Sequence, residues 1–270
     1  SGMVRPFCTV VPVKTDSVLV NNVNQDANVS WPGEGTAPTA RKITFQQSTV
    51  SIKKAVSNCY FSNEILADSG IDIMKFVLDR FAYAFAREED RLLLIGDTST
   101  PTLDPFSGIL DQANATSVTM PSGDNTFIES TADDFADMIK NVDEPLQGGS
   151  IFGVHRSLLT HLRGLKAATT GEYVYYGPSM GNPATLWGYP VHVFDQLPST
   201  SATTQASTAF AFFGNLKAGI KIYDRQKFTI ARSNDVAFTT DEVVVRMTMR
   251  VGYQVAPLAG ALSKLVTAAS

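Results

Sequence analysis

Cysteine and histidine are scarce in this chain: its 270 residues include two cysteines and three histidines. Cys8 and Cys59 stand in no pair spacing that suits zinc, a redox motif or a disulfide framework, so a reducing folding environment fits them best. His155 and His161 lie six residues apart, on different faces of a helix rather than on the shared face of a zinc pair. With His192 they read as surface or capping side chains, and neither metal nor cofactor is expected. Long hydrophobic runs are missing too. No stretch approaches the roughly 18 unbroken apolar residues of a membrane span, and the opening SGMVR has none of the apolar length of a secretory signal. A soluble protein with no membrane partner and no visible address is expected. The glycosylation triplets at Asn28 and Asn114 are then chance matches. An initiator Met is absent from position 1, which predicts either a processed N-terminus or the scar of a removed tag. Basic charge is in deficit as well, 22 Lys and Arg against 26 Asp and Glu, a net charge of -4. That excludes a chain that wraps nucleic acid tightly, which needs a basic footprint, but not one that stands near packaged nucleic acid.

What is present begins with an ordinary core: 44% of residues are hydrophobic, enough for one large domain or two modest ones and too much for a disordered chain. The first twenty residues hold short apolar pieces broken by Pro6 and Pro12, which predicts an extended arm. Residues 27–31 and 41–45 read as strand-like runs on either side of a turn at 32–35, a long hairpin excursion. Its outer half, 21–41, has too few large apolar side chains for a core of its own, and an isolated two-stranded ribbon is marginal in water. It is expected to lean on another molecule.

In the following strand Val50, Ile52 and Val56 fall on one face and Ser51, Lys53 and Ser57 on the other. The strongest helix comes next. Asp68 and Ser69 offer caps, with Asp72 three residues after Ser69, and Ile71, Met74, Leu78, Phe81, Phe85 and Leu92 recur at three- and four-residue steps until Gly96. About 25 residues make a rod of roughly 37 Å. Glu88, Glu89 and Asp90 crowd its C-terminal part, where the dipole disfavours acids; this points to cationic partners in the same chain or a neighbour. Further helices are predicted at 131–142 and 156–166, and strands at 150–154, 173–176, 189–194, 209–213, 220–223, 228–231 and 242–255. This is an α+β pattern.

The sharpest catalytic motif is GPSMG at 177–181, which matches the G-x-S-x-G nucleophile elbow and makes a serine hydrolase using Ser179 the alternative from a different class. Its context fails. Asn182 and Pro183 follow where a helix should start, and no acid lies between Ser179 and His192, the only later histidine. Gly33 and Gly35 lack the third glycine and helix of a dinucleotide fingerprint, and no Walker-type lysine motif occurs.

The order of elements carries more than any motif. An arm, a long hairpin, a strand, a long helix closing in REEDRLLLIGD (87–97) and then PFSGIL (105–110) resembles the major capsid protein of tailed bacteriophages, the Hong Kong ninety-seven fold. LWGYPV (186–191) is similar to that family's W-G-x-P-V segment. FGNL (213–216) through YDR (223–225) resembles its late strand pair, and residues 245–265 its closing strand and helix. The resemblance spans essentially the whole chain.

It implies residues 1–20 as an N-terminal arm reaching another subunit, 21–53 as the E-loop hairpin crossing a neighbour, 54–126 with 236–256 as the peripheral domain with its spine helix, and 127–235 with 257–270 as the axial domain. The implied function is a non-enzymatic capsid protein that self-assembles into pentamers and hexamers and closes an icosahedral shell around double-stranded DNA. Its place is then the virion, assembled in the host cytoplasm. Implied partners are the chain itself, loosely held DNA, and scaffolding, protease, portal and decoration proteins. An encapsulin-like compartment is the alternative within the same fold. Trp31, Glu34, Arg41 and Lys42 on the hairpin, with Glu88 and Glu89, are the expected inter-subunit contacts. Some family members join an E-loop lysine to an asparagine with help from a glutamate. Here the lysine position falls near Pro38 and the glutamate position near Thr248, so no covalent crosslink is expected.

Overall fold

The computed structural model describes residues 2–25, 29–37, 42–62, 64, 73–99, 103–178, 183–201, 203–237, 241–257 and 259–269. A 3-10 turn at Arg5–Phe7 leads into β1 (Thr9–Pro12), then the hairpin strands β2 (Ser17–Gln25) and β3 (Thr44–Ser51), β4 (Lys53–Ser62) and the long helix α1 (Ile73–Ile95). Next come β5 (Thr116–Thr119), α2 (Ala132–Lys140), α3 (Glu144–Gln147), β6 (Ile151–Val154) and α4 (Leu159–Gly164). The rest is β7 (Tyr175–Tyr176), β8 (Thr185–Leu186), β9 (Tyr189–Val193), β10 (Ala209–Gly214), α5 (Leu216–Gly219), β11 (Ile220–Ala237), β12 (Glu242–Val255) and β13 (Leu262–Val266). The α+β expectation holds.

The strands form a four-stranded sheet in the order β1-β11-β12-β4, a seven-stranded sheet in the order β5-β13-β10-β6-β9-β8-β7, and the β2-β3 ribbon. α1 packs its Val77, Phe81, Phe85 and Leu92 stripe toward the four-stranded sheet. Its final turns bury Leu92, Leu93 and Leu94 together, because the helix end enters the space between that sheet and the Ile151, Phe212 and Leu262 face of the other. A helix end leaves carbonyls without intrahelical partners. Here Ile109 N–H donates to Leu93 O at 2.9 Å and Leu110 N–H to Leu94 O at 3.0 Å. A second core fills the other face of the seven-stranded sheet, with Phe135 and Met138 of α2 against Phe152, Phe210 and Phe213. Thr131 caps α2 in a reciprocal box with Asp134, which fixes where that helix starts.

Several expectations are corrected. The ribbon pairs nearer its base than expected, from Ser17 opposite Ser51 to Gln25 opposite Thr44. None of the described residues 29–37 is in a strand; Pro32 has no N–H to pair, and Gly33 and Gly35 flank a turn. Residues 50–57 are two strands. The chain changes partners at Ile52, whose N–H donates to Asp16 O at 2.9 Å. That break flips the face: Ala55 and Cys59 pack on the core while Val56 is 45% exposed, as a one-residue slip in a period-two strand requires. The strands predicted at 220–223 and 228–231 are one strand with bulges, β11. The closing helix is instead the strand β13, and the helix at 156–166 is a 3-10 turn at Arg156–Leu158 followed by the short α4. β11 lies in the four-stranded sheet and β5 in the seven-stranded one. The caps Asp68, Ser69 and Asp72 lie outside the described residues.

Candidate functional site

The hairpin carries the first candidate surface. Beyond its paired base, Trp31 is 94% exposed and Val29, Phe45 and Leu19 are also open to solvent. Glu34 and Lys42 are exposed with them, while Arg41 lies outside the described residues. A two-stranded ribbon has no second layer to cover its apolar side chains, which is why they stay open. Large apolar side chains left open together on one excursion of the chain are a candidate interaction surface. Leu19, Val29 and Phe45 were not singled out from sequence, although the lack of any apolar segment to cover the ribbon was the available signal.

The second feature is the acidic end of α1, and its charges are answered inside the chain. Arg5 forks between two carboxylates, donating to Glu89 Oε1 at 2.6 Å and to Asp224. Asp90 accepts the N–H groups of Met3 at 2.7 Å and Val4 at 2.9 Å. Tyr253 Oη donates to Glu89 at 3.2 Å. Burial pushes the Glu89 carboxyl above its ordinary value, opposed by the Arg5 charge and the Tyr253 hydroxyl. Burial also pushes the nearby Cys8 thiol up to about 12, with Glu89 and Asp90 adding to the shift; such a thiol is inert. Glu88 is half exposed and pairs with Arg91 at 2.7 Å.

The same cluster ties the N-terminal segment down. Residues 2–12 fold onto their own chain: Val4 is fully buried and β1 extends the four-stranded sheet in parallel with β11. Glu89, expected at a subunit contact, is buried with partners in its own chain. The hairpin residues and the α1 acids are not brought together; among the described residues no hydrogen bond or ion pair joins Trp31, Glu34 or Lys42 to Glu88 or Glu89.

A third surface was missed from sequence. On the outward side of α1, Phe76 is 55% exposed under the Arg80 guanidinium, 5.2 Å from its ring centroid, and Tyr83 is 62% exposed. Positions 76, 80, 83 and 87 repeat at helical spacing beside the buried stripe, which is the signal that was available.

Enzyme chemistry gains no geometry. Ser179 lies outside the described residues, and among the described residues the next element is the strand β8 rather than the helix an elbow requires. His155 Nδ1 accepts from Ser157 N–H at 3.1 Å and His161 Nε2 meets Ser130 O at 2.7 Å, both structural roles. His192 packs edge-on against Phe7. No group of three metal-ligating side chains occurs among the described residues, and no helix there is long and apolar enough to cross a membrane.

Comparison with known proteins gives a family match and a set of similar folds. A family model described as the phage capsid family matches residues 1–260. No curated protein matches at a significant level. Among solved structures, the capsid of a native GTA particle computed with C5 symmetry superposes with a TM-score of 0.81 at 22% identity, covering 98% of this chain and 90% of that one. The capsid of an empty GTA particle gives 0.80, also at 22% identity, covering 98% and 89%. A chain from Mycobacterium phage Bobi gives 0.72 at 15% identity, covering 100% and 91%. At these identities the likeness is one of fold.

Proposed function

This chain belongs to the phage capsid family, and from that membership we propose that it is the structural subunit of a phage head, gathering as pentamers and hexamers into an icosahedral shell around double-stranded DNA. A capsid shell protein is the family's role. The carrying observation is the hairpin: a ribbon with Trp31, Val29, Phe45 and Leu19 uncovered makes no sense in a monomer and good sense across a neighbouring subunit.

The division of labour follows the sheets. The four-stranded sheet with α1 is the peripheral part, the seven-stranded sheet with α2 and α4 is the axial part gathered at the capsomer centre, and β2 and β3 make the E-loop. Trp31, Glu34, Arg41, Lys42 and Glu88 face neighbouring copies, while Glu89 serves them indirectly by holding Arg5. Assembly by unlike surfaces, head to tail, gives rings that close. The role is structural rather than catalytic. A net charge of -4 suits a wall that contains DNA without gripping it, since tight binding needs neutralising cations. The protein resides in the virion and assembles in the host cytoplasm, with scaffolding, protease, portal and decoration proteins as candidate partners.

Negative-stain microscopy and size-exclusion chromatography of the purified chain test this reading. Capsomers or closed shells are expected; a compact monomer or dimer at every concentration, with ester hydrolysis abolished by Ser179→Ala, overturns it.

A further inference from the structure

β4 closes one end of the four-stranded sheet. It pairs with β12 along its whole length, from Lys53 opposite Val251 to Ser62 opposite Glu242, without a bulge. Among the described residues it pairs with no other strand. Alternate backbone N–H and C=O groups of β4 therefore point away from the sheet, a row of donors and acceptors open to a further strand. Sheets blunt such edges with proline, bulges or very short strands; the ten residues of β4, KKAVSNCYFS, use none of these.

The face of β4 turned away from the core is open as well. Ala55, Cys59 and Phe61 pack inward, whereas Lys54 and Asn58 are exposed, Val56 is 45% exposed and Tyr60 55%. On that face Lys54 stands directly opposite Arg250, and Asn58 opposite Arg246. Like charges opposed across a strand pair, with Cβ atoms about 5 Å apart, destabilise it. Asp16 reaches Arg250 at 3.8 Å but stands closer to Arg225, and neither Lys54 nor Arg246 has an ion pair among the described residues. The three cations have one acid between them, and it is committed to Arg225.

We propose that β4 is a docking edge that takes an extended acidic segment of a different protein as a fifth strand of this sheet. Backbone hydrogen bonds to the open edge give such a segment its affinity, and its alternate side chains give selectivity. An acid set opposite Lys54 relieves the opposition to Arg250, and apolar side chains opposite Val56 and Tyr60 cover them. A second copy is the wrong occupant: β4 has two lysines and no acid, so edge-to-edge pairing brings more cations to a face already short of acids. The same lysines turn away another copy and admit an acidic strand. This edge plays no part in the shell reading and stands or falls apart from it.

Fluorescence anisotropy of the full chain with a labelled peptide tests the edge. The probe is TVTTTVTET, which, paired antiparallel to β4, sets its glutamate opposite Lys54 and its valines opposite Val56 and Tyr60. Saturable binding is expected, about tenfold weaker for the same peptide with lysine in place of glutamate. Methylating the peptide nitrogens that face β4 leaves every side chain intact and is expected to abolish binding. Lys54→Glu is expected to reverse the preference between the two peptides. No saturable binding at millimolar peptide, or binding indifferent to N-methylation or to Lys54→Glu, overturns the docking edge. So does displacement of the probe by duplex DNA with no effect of N-methylation, which assigns the face to nucleic acid, and so does an oxidised dimer of Asn58→Cys that the parent does not give, which places a second copy there. Shells that form while no peptide binds leave the shell reading standing; a wild-type chain that stays monomeric yet takes the peptide overturns that reading and leaves the edge.

Discussion

Gly96 and Gly108 meet backbone to backbone: the Gly108 N–H donates to Gly96 O at 2.8 Å. A Cβ on Gly108 would sit 2.6 Å from Gly96 N, and one on Gly96 would sit 2.5 Å from Phe106 O. This contact seats residues 108–110 against the last turn of α1, where their N–H groups close carbonyls that the helix leaves open.

Gly108→Ala is therefore expected to destabilise the subunit by about 1–3 kcal/mol, the cost of overpacking where only backbone can yield. Gly164→Ala, with nothing within 4 Å of the added carbon, is the neutral control. Urea unfolding midpoints of the two variants check the contrast; equal midpoints refute the role given to the Gly96–Gly108 contact.

Arg5→Gln is expected to loosen the N-terminal segment. It leaves Glu89, only 6% exposed, and Asp224 without their shared cation, and removing one partner of a buried pair costs more than the pair contributes. Because Arg5 is itself about a third exposed, the expected loss is modest, about 1–2 kcal/mol. Hydrogen exchange reads it directly: the Met3 and Val4 amides held by Asp90 lose protection first. Unchanged protection there argues against Arg5 as the clasp.

The acid limb of stability is expected to depend on Asp104. Hydrogen bonds from the Arg91 guanidinium hold its carboxyl below the ordinary value, helped by the Asp97 N–H. A carboxylate that ionises more readily folded than unfolded contributes fully above the ordinary range near pH 4 and loses that contribution as pH falls through its folded value. Glu89 runs the other way, since its raised value makes it take up a proton earlier in the folded state. Melting temperature between pH 2.5 and 5 is expected to fall less steeply in Asp104→Asn than in the parent; parallel slopes refute the assignment.

The sequence made some of this legible and hid the rest for physical reasons. The Phe81, Phe85 and Leu92 spacing announced α1, and the apolar run at 151–154 announced β6, because each obeys one period throughout. Bulges between Asp224 and Gln226 and between Gln226 and Thr229 break the alternation of β11, so one strand read as two. The face of β4 was misread because Ile52, between two strands, resets the register. The Arg5 clasp was out of reach: its partners stand 84 and 219 residues away, and only the misplaced acids at 88–90 hinted that a cation would come to them. The exposed Trp31 was legible because no apolar neighbour in sequence could cover it.

No covalent welding of subunits is expected in assembled particles. An amide crosslink of the kind known in this fold needs an amine that can lose its proton and a carboxylate to take it. The position matching that carboxylate is Thr248, whose hydroxyl donates to Thr229 O at 3.4 Å and titrates nowhere near neutral pH; the position matching the amine is Pro38, outside the described residues, which has no amine at all. Cohesion then rests on packing such as that at Trp31, which heat and detergent dissolve. Particles boiled in reducing detergent are expected to run as a single band of monomer, with intact mass equal to the sum of the residues. A reduction-resistant ladder, or a mass deficit of one ammonia per copy, refutes this.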